Sequence, residues 1–158
     1  MAPTPTLRNR ALGYLARREY ARLELRQKLL PHADGDEASL DAILDDFVSR
    51  GWLSDARFAE QWAHFRSQRY GPQRLRAELR QKGVDDNLID DALANVSDDE
   101  YAQARAQWQK KFGSAPQDQK ERAKQLRFLA GRGFSLDVVY KVVGGGEDDY
   151  GDQGDHAE

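Results

Sequence analysis

Cysteine is absent from the 158 residues. No disulfide can form and thiol chemistry is excluded, so a reducing interior, the cytoplasm, is the compartment to expect. Long apolar runs are absent as well. No stretch of about 18 apolar residues exists to cross a membrane as a helix. The opening "MAPTPTLRNR" is not followed by the apolar core of a signal peptide. Residues 1–7 are expected to form a flexible leader. Proline is scarce, with five residues beside 13 glycines. The chain is therefore not a low-complexity linker, and long alternating β-patterns are missing.

Catalytic signatures are also lacking. The three histidines are His32, His64 and His156, and none sits in a metal-ligand or triad pattern. The sequence has no HExxH pair, phosphate loop or nucleophile elbow. "GGG" at 144–146 lacks the lysine and the helix that a phosphate loop needs. The paired acids Asp45/Asp46, Asp85/Asp86, Asp90/Asp91 and Asp98/Asp99 are adjacent, and adjacent side chains diverge on a helix. They read as charge runs and caps. No catalytic residue, metal or cofactor is expected, and the chain is not expected to be an enzyme.

What the chain does have is apolar residues at helical spacing. Leu40, Ile43, Leu44, Phe47 and Val48 form one stripe, and Phe58, Trp62 and Phe65 a second. Leu75 with Leu79, then Leu88, Ile89, Ala92 and Leu93, continue the pattern. Tyr101, Trp108 and Phe112 follow, then Leu126, Leu129 and Ala130. Trp62, Phe65, Trp108 and Phe128 are expected in the core. Helix ends recur too. "RGW" at 50–52, "KGV" at 82–84 and "RGF" at 132–134 each give a base, a glycine and an apolar residue. The base suits the negative helix end, and glycine suits the left-handed residue that closes a helix. Ser54, Asp85 and Ser135 follow as candidate N-caps.

These joints predict an all-α fold of three tandem three-helix repeats forming an elongated, curved array. The repeats span 8–53, 54–97 and 98–143. Their helices are expected near 8–17, 20–30 and 39–50, then 55–69, 72–82 and 86–95, then 98–112, 117–131 and 136–143. The last stretch, 144–158, holds five glycines, six acids and no base. It is expected to be disordered, either a solubilising end or a polyanion mimic that guards a basic surface.

Net charge is −3, but the charge is layered. Residues 8–28 hold seven bases and two acids; 34–46 hold six acids and no base. Residues 66–82 hold six bases and one acid; 85–100 hold seven acids and no base. Residues 105–132 hold eight bases and two acids. The pentapeptide "ELRQK" occurs at 24–28 and again at 78–82. Around it, Leu25 and Leu29, like Leu75 and Leu79, make an apolar stripe. Arg22 and Arg26, like Arg76 and Arg80, make a basic row about 100° round the helix. Glu78 is placed to pair with Arg74 or Lys82. Such ridges fit either solvated, internally paired helices or a polyanionic or acidic partner.

"ALGYLARREYARLELRQKL", "GWLSDARFAEQW", "RYGPQRLRAELRQKGV" and "RFLAGRGFS", in that order, resemble the RecX family of regulatory proteins over about residues 8–143. The resemblance implies a non-enzymatic modulator of the RecA recombinase. Such a protein binds the RecA filament on single-stranded DNA, limits extension or promotes disassembly, and so inhibits ATPase, strand exchange and coprotease activity. It implies a cytoplasmic role in DNA repair and SOS control. It also marks Tyr70, Gly71, Leu79, Gly83 and Gly133 as architectural. The partner-contact candidates are Arg22, Arg26 and Lys28, then Arg74, Arg76, Arg80 and Lys82, then Lys124, Arg127 and Arg132. A monomer with weak DNA contact and no membrane contact is expected. The acidic tail departs from the family pattern. So does Leu29, which stands where the second repeat has Gly83. The alternative reading is a direct, non-specific nucleic-acid binder using its basic helices, and a third is a plain helical adaptor.

Overall fold

A computed structural model describes residues 3–144. The expected acidic tail, apart from Gly144, lies outside the described residues. Among the described residues nine α-helices follow one another: α1 (Leu7–Leu15), α2 (Arg22–Leu29), α3 (Glu37–Ser49), α4 (Asp55–Arg66), α5 (Pro72–Gln81), α6 (Asp86–Ala94), α7 (Glu100–Lys111), α8 (Gln119–Gly131) and α9 (Leu136–Val143). Short 3-10 turns lie at Leu30–His32 and Ser97–Asp99. No strand occurs among the described residues. The helices fall into the successive three-helix units that the sequence predicts.

Local chemistry explains the ends. Thr6, Asp36 and Asp118 accept N–H bonds from Asn9, Ser39 and Glu121 and so cap α1, α3 and α8. Ser54 accepts from the Arg57 N–H at 3.2 Å, as expected for a cap. Gly51, Gly83 and Gly133 take φ of 76°, 82° and 91°. In each case the next residue bonds back to the helix: Trp52 to the Phe47 carbonyl at 2.9 Å, Val84 to Leu79 at 3.1 Å, Phe134 to Leu129 at 3.3 Å. All three are the six-to-one closure that a left-handed residue permits. Helix α2 has no such glycine. Past the buried Leu29 it runs into the 3-10 turn instead.

Some expectations fail. Phe65 is 67% exposed, Val48 46% and Tyr101 39%, so none of them completes its stripe. Phe65 and Val48 lie in the last turn of their helices and Tyr101 in the first turn of α7. Ser135 makes no side-chain cap. Its hydroxyl donates to Glu100 Oε1 at 2.8 Å and its N–H to Oε2 at 3.2 Å. The Glu100 carboxylate from α7 thus holds Ser135 itself at the start of α9.

The described residues divide into two compact units. One holds those up to Trp62 together with Glu78–Ala92; the other holds Ala63–Ala77 together with those from Leu93 onward. Within the first, Leu25, Leu29, Leu40, Leu44, Phe47 and Leu53 are buried together with Ala11 and Tyr20. Within the second, Trp108, Leu129, Phe134, Val139, Val142 and Val143 close around Ala104. At about 1.5–3 kcal/mol per buried large side chain, cores of this size suffice for small units with little margin.

Candidate functional site

The basic residues of α2 are turned toward acids of α3. Arg22 Nη2 lies 2.6 Å from Asp45; Arg26 lies 2.8 Å from Asp41 and 3.1 Å from Glu37. The Asp41 hydrogen bond, then that of Glu37, raises the Arg26 pKa. In return the Arg26 hydrogen bond holds Asp41 below the usual carboxylate range. Lys28 sits over the Tyr14 ring at 4.7 Å, with Tyr20 Oη at 3.4 Å. The acidic block 34–46 is therefore counter-charge for the first basic helix. Asp55, which the sequence did not single out, accepts the Arg22 backbone N–H at 2.7 Å and fixes the start of α2. Its adjacency to Ser54, itself a cap, was the only signal for it.

In α5, Leu75 and Leu79 are buried as predicted. Arg80 reaches Asp86 at 2.9 Å. Lys82 turns to Glu24 at 3.0 Å, not along its own helix. Glu78 accepts the Trp62 indole N–H at 3.0 Å. Arg76 is half-buried, so it is less open than the ridge reading implies. Gly83 leaves 2.8 Å between an ideal Cβ and the Leu23 side chain, which makes it a close approach as well as a turn.

Tyr70, Gly71, Arg74, Arg132 and Gly133 come together in one joint. The Gly71 N–H donates to the Arg132 carbonyl at 2.9 Å, and the Gln73 N–H to the Gly133 carbonyl at 3.0 Å. These carbonyls at the end of α8 satisfy donors at the start of α5, which would otherwise lack partners. The backbones touch. A Cβ on Gly71 would stand 2.3 Å from Phe134 backbone, and one on Gly133 2.5 Å from Arg74. The half-buried Tyr70 ring carries three guanidiniums: Arg74 at 3.9 Å, Arg66 at 4.7 Å and Arg132 at 5.2 Å. Arg132 also lies 5.1 Å from the Phe128 ring, and Lys111 5.7 Å from it. Four cations thus share two aromatic faces, an arrangement that holds side chains by cation–π attraction and concentrates positive charge.

Helix α8 differs from its counterparts. Gln125 and Leu129 are fully buried. Gln125 accepts the Trp108 indole N–H at 2.8 Å and donates to the Ser114 carbonyl at 3.1 Å. At about 100° per residue, Lys120, Lys124 and Arg127 lie within about 60° of one another on the far side of the helix. All three are exposed. Among the described residues no acid pairs with them, in contrast to Arg22, Arg26 and Arg80. The nearest acids in sequence are committed to the helix start, where Asp118 binds the Glu121 N–H and Glu121 the Gln117 N–H.

No group of His, Asp or Glu among the described residues could hold a metal ion. No described helix is long and apolar enough to cross a membrane.

Comparison with known proteins follows the same repeats. A model described as "RecX, second three-helix domain" matches residues 54–93, and "RecX, third three-helix domain" matches 98–143. The regulatory protein RecX of Chromobacterium violaceum is 47% identical over 144 residues, covering 91% of this chain and 93% of that protein. That of Ralstonia pickettii is 44% identical, covering 90% and 89%. That of Leptothrix cholodnii is 47% identical, covering 89% of each. The crystal structure of RecX from Lactobacillus salivarius aligns with a TM-score of 0.74 at 23% identity, over 87% of this chain and 92% of that one. At that identity the structural likeness carries the fold alone.

Proposed function

The chain belongs to the RecX family of regulatory proteins, and from that premise we propose that it binds the RecA–single-stranded-DNA filament through the cationic surface of its last repeats. It is a non-enzymatic modulator of RecA. Its binding limits filament extension or promotes disassembly, and RecA's ATPase, strand exchange and coprotease activity fall as a result. It works in the cytoplasm, as a monomer.

The observation that carries the reading is the division of the cations by partnership. Arg22, Arg26 and Arg80 already hold acids of their own chain. A filament would have to replace those partners, and exchanging one carboxylate for another gains little. Lys120, Lys124 and Arg127 are exposed and give up only water and counterions on meeting an anion. We assign partner contact to Lys124, Arg127 and Arg132, and to Lys120 beside them. Tyr70, Gly71 and Gly133 hold the joint at which Arg74 and Arg132 meet, and Gly83 closes α5.

Titrating RecA's ATPase on single-stranded DNA with this protein tests the reading. Loss of rate below one protein per RecA is the expected result, because capping or breaking a filament silences many subunits at once. An unchanged rate with tight binding to bare DNA would overturn it in favour of direct nucleic-acid binding.

A further inference from the structure

In the first two repeats, arginines of the basic middle helix pair with acids that come after it in sequence, a rule that Lys82, held by Glu24, does not share. Helix α2 is answered by Glu37, Asp41 and Asp45 of α3, and Arg80 of α5 by Asp86 of α6. The third repeat breaks the rule. Helix α9, "LDVVYKVV", offers one acid and one base, and the α8 ridge has no acid partner among the described residues. The acids the rule calls for are present in the sequence, but they come after α9. Glu147, Asp148, Asp149, Asp152, Asp155 and Glu158 follow with no base among them.

We propose that the acidic C-terminal segment, residues 145–158, occupies the α8 ridge of its own chain, its carboxylates meeting Lys120, Lys124 and Arg127 until an external polyanion displaces them. Charge complementarity selects the occupant. Reach permits it: α9 packs on α8, and the 14 residues after Gly144 can extend to about 46 Å, against about 20 Å for the 13 residues of α8. The tether supplies a high effective concentration, so weak individual ion pairs still compete. Because these pairs are exposed, the competition weakens with salt. The segment then acts as a threshold. A single phosphate does not displace it, but a long polyanion with many charges does. This inference rests on the functional reading above, because it treats the same ridge as the partner surface.

The test keeps the full chain. In one variant all six tail acids become amides (E147Q, D148N, D149N, D152N, D155N, E158Q). In a second the ridge is neutral (K120Q, K124Q, R127Q), and a third combines both. Affinity for a labelled oligothymidylate is measured at salt low enough for all four proteins to bind. The neutral tail is expected to tighten binding several-fold with the native ridge and not at all with the neutral ridge. Equal tightening on both ridges would mean a general field effect and would overturn docking; so would no tightening. Independently, carbodiimide should join tail carboxylates to the Lys120 and Lys124 amines within the monomer. A map in which the tail links only to other lysines would overturn the proposal. The cross-link map needs no partner, so it separates failure of this inference from failure of the functional reading, which the ATPase titration reports.

Discussion

Leu25, Leu75 and Gln125 stand at the same place in three successive repeats, 50 residues apart, and each is at most 1% exposed. Two are apolar and one is polar because only the third repeat buries a tryptophan N–H there. Trp108 needs an acceptor, and Gln125 supplies it at 2.8 Å. Gln125→Leu leaves that donor unpaired in the core, so stability should fall by about 1–2 kcal/mol; urea denaturation measures it, and an unchanged midpoint would sink the argument. Glycines sort by what surrounds them. Gly71→Ala and Gly133→Ala force a methyl to 2.3–2.6 Å from Phe134 and Arg74 backbone atoms. The joint must open, and a loss of more than about 2 kcal/mol is expected. Gly13 lies inside α1 with nothing within 4 Å of an added Cβ. Gly13→Ala should therefore raise stability by about 0.5–1 kcal/mol. Melting temperatures moving in opposite directions for these substitutions would be the confirming result.

The repeated pentapeptide shows how identical residues diverge within different elements. Helices α2 and α5 begin 50 residues apart, but the two "ELRQK" stretches are 54 apart. The copies are thus one helical turn out of step. Glu24 falls in the first turn of α2, where Arg18 and Lys82 reach it at 3.0 Å. Glu78 falls in the last turn of α5, where it receives the Trp62 N–H. Burial works to raise the Glu24 pKa, but the hydrogen bonds of Arg18 and then Lys82 outweigh it and hold the carboxyl below its ordinary 4.5. A depressed folded-state pKa means that the unfolded chain binds the proton first as pH falls. The stabilisation is complete above about pH 4.5 and is lost on acidification through the lower folded value. Glu24→Gln should therefore melt lower than the parent at pH 7, and the gap should narrow by pH 3. A gap that stays constant across that range would show that the ion pairs contribute nothing.

Across the whole molecule, acidic and basic blocks alternate along the chain, and the fold turns part of that alternation into ion pairs. Net charge therefore says little about the surface a partner meets. Reversing the α8 ridge with K120E, K124E and R127E should weaken inhibition of RecA's ATPase by at least about tenfold and flatten its salt dependence. Arg26→Gln should change it less than about twofold, because Arg26 is already engaged by Asp41 and Glu37. Circular dichroism of both variants should match the parent. Equal effects from the two changes would mean that ion-pair partnership does not decide which cations serve the filament.

The sequence by itself determined the helices and their ends. Apolar spacing and a glycine after a base are local signals, and Gly51, Gly83 and Gly133 take the left-handed turn wherever their helices pack. Family membership was legible for the same reason, because those joints recur in fixed order. Tertiary structure alone decided which charges stay open and which apolar residues are covered. Arg26 flanks the buried stripe of α2, whereas Arg127 lies on the far side of α8 from Gln125 and Leu129. That α3 sets Glu37 and Asp41 beside Arg26 depends on how the helices pack, which α2 by itself does not show. Phe65 continued a stripe that packing did not cover, and Gln125 lay in a slot visible only once the repeats are set 50 residues apart. Periodicity is a property of the chain, whereas partnership belongs to the assembled molecule.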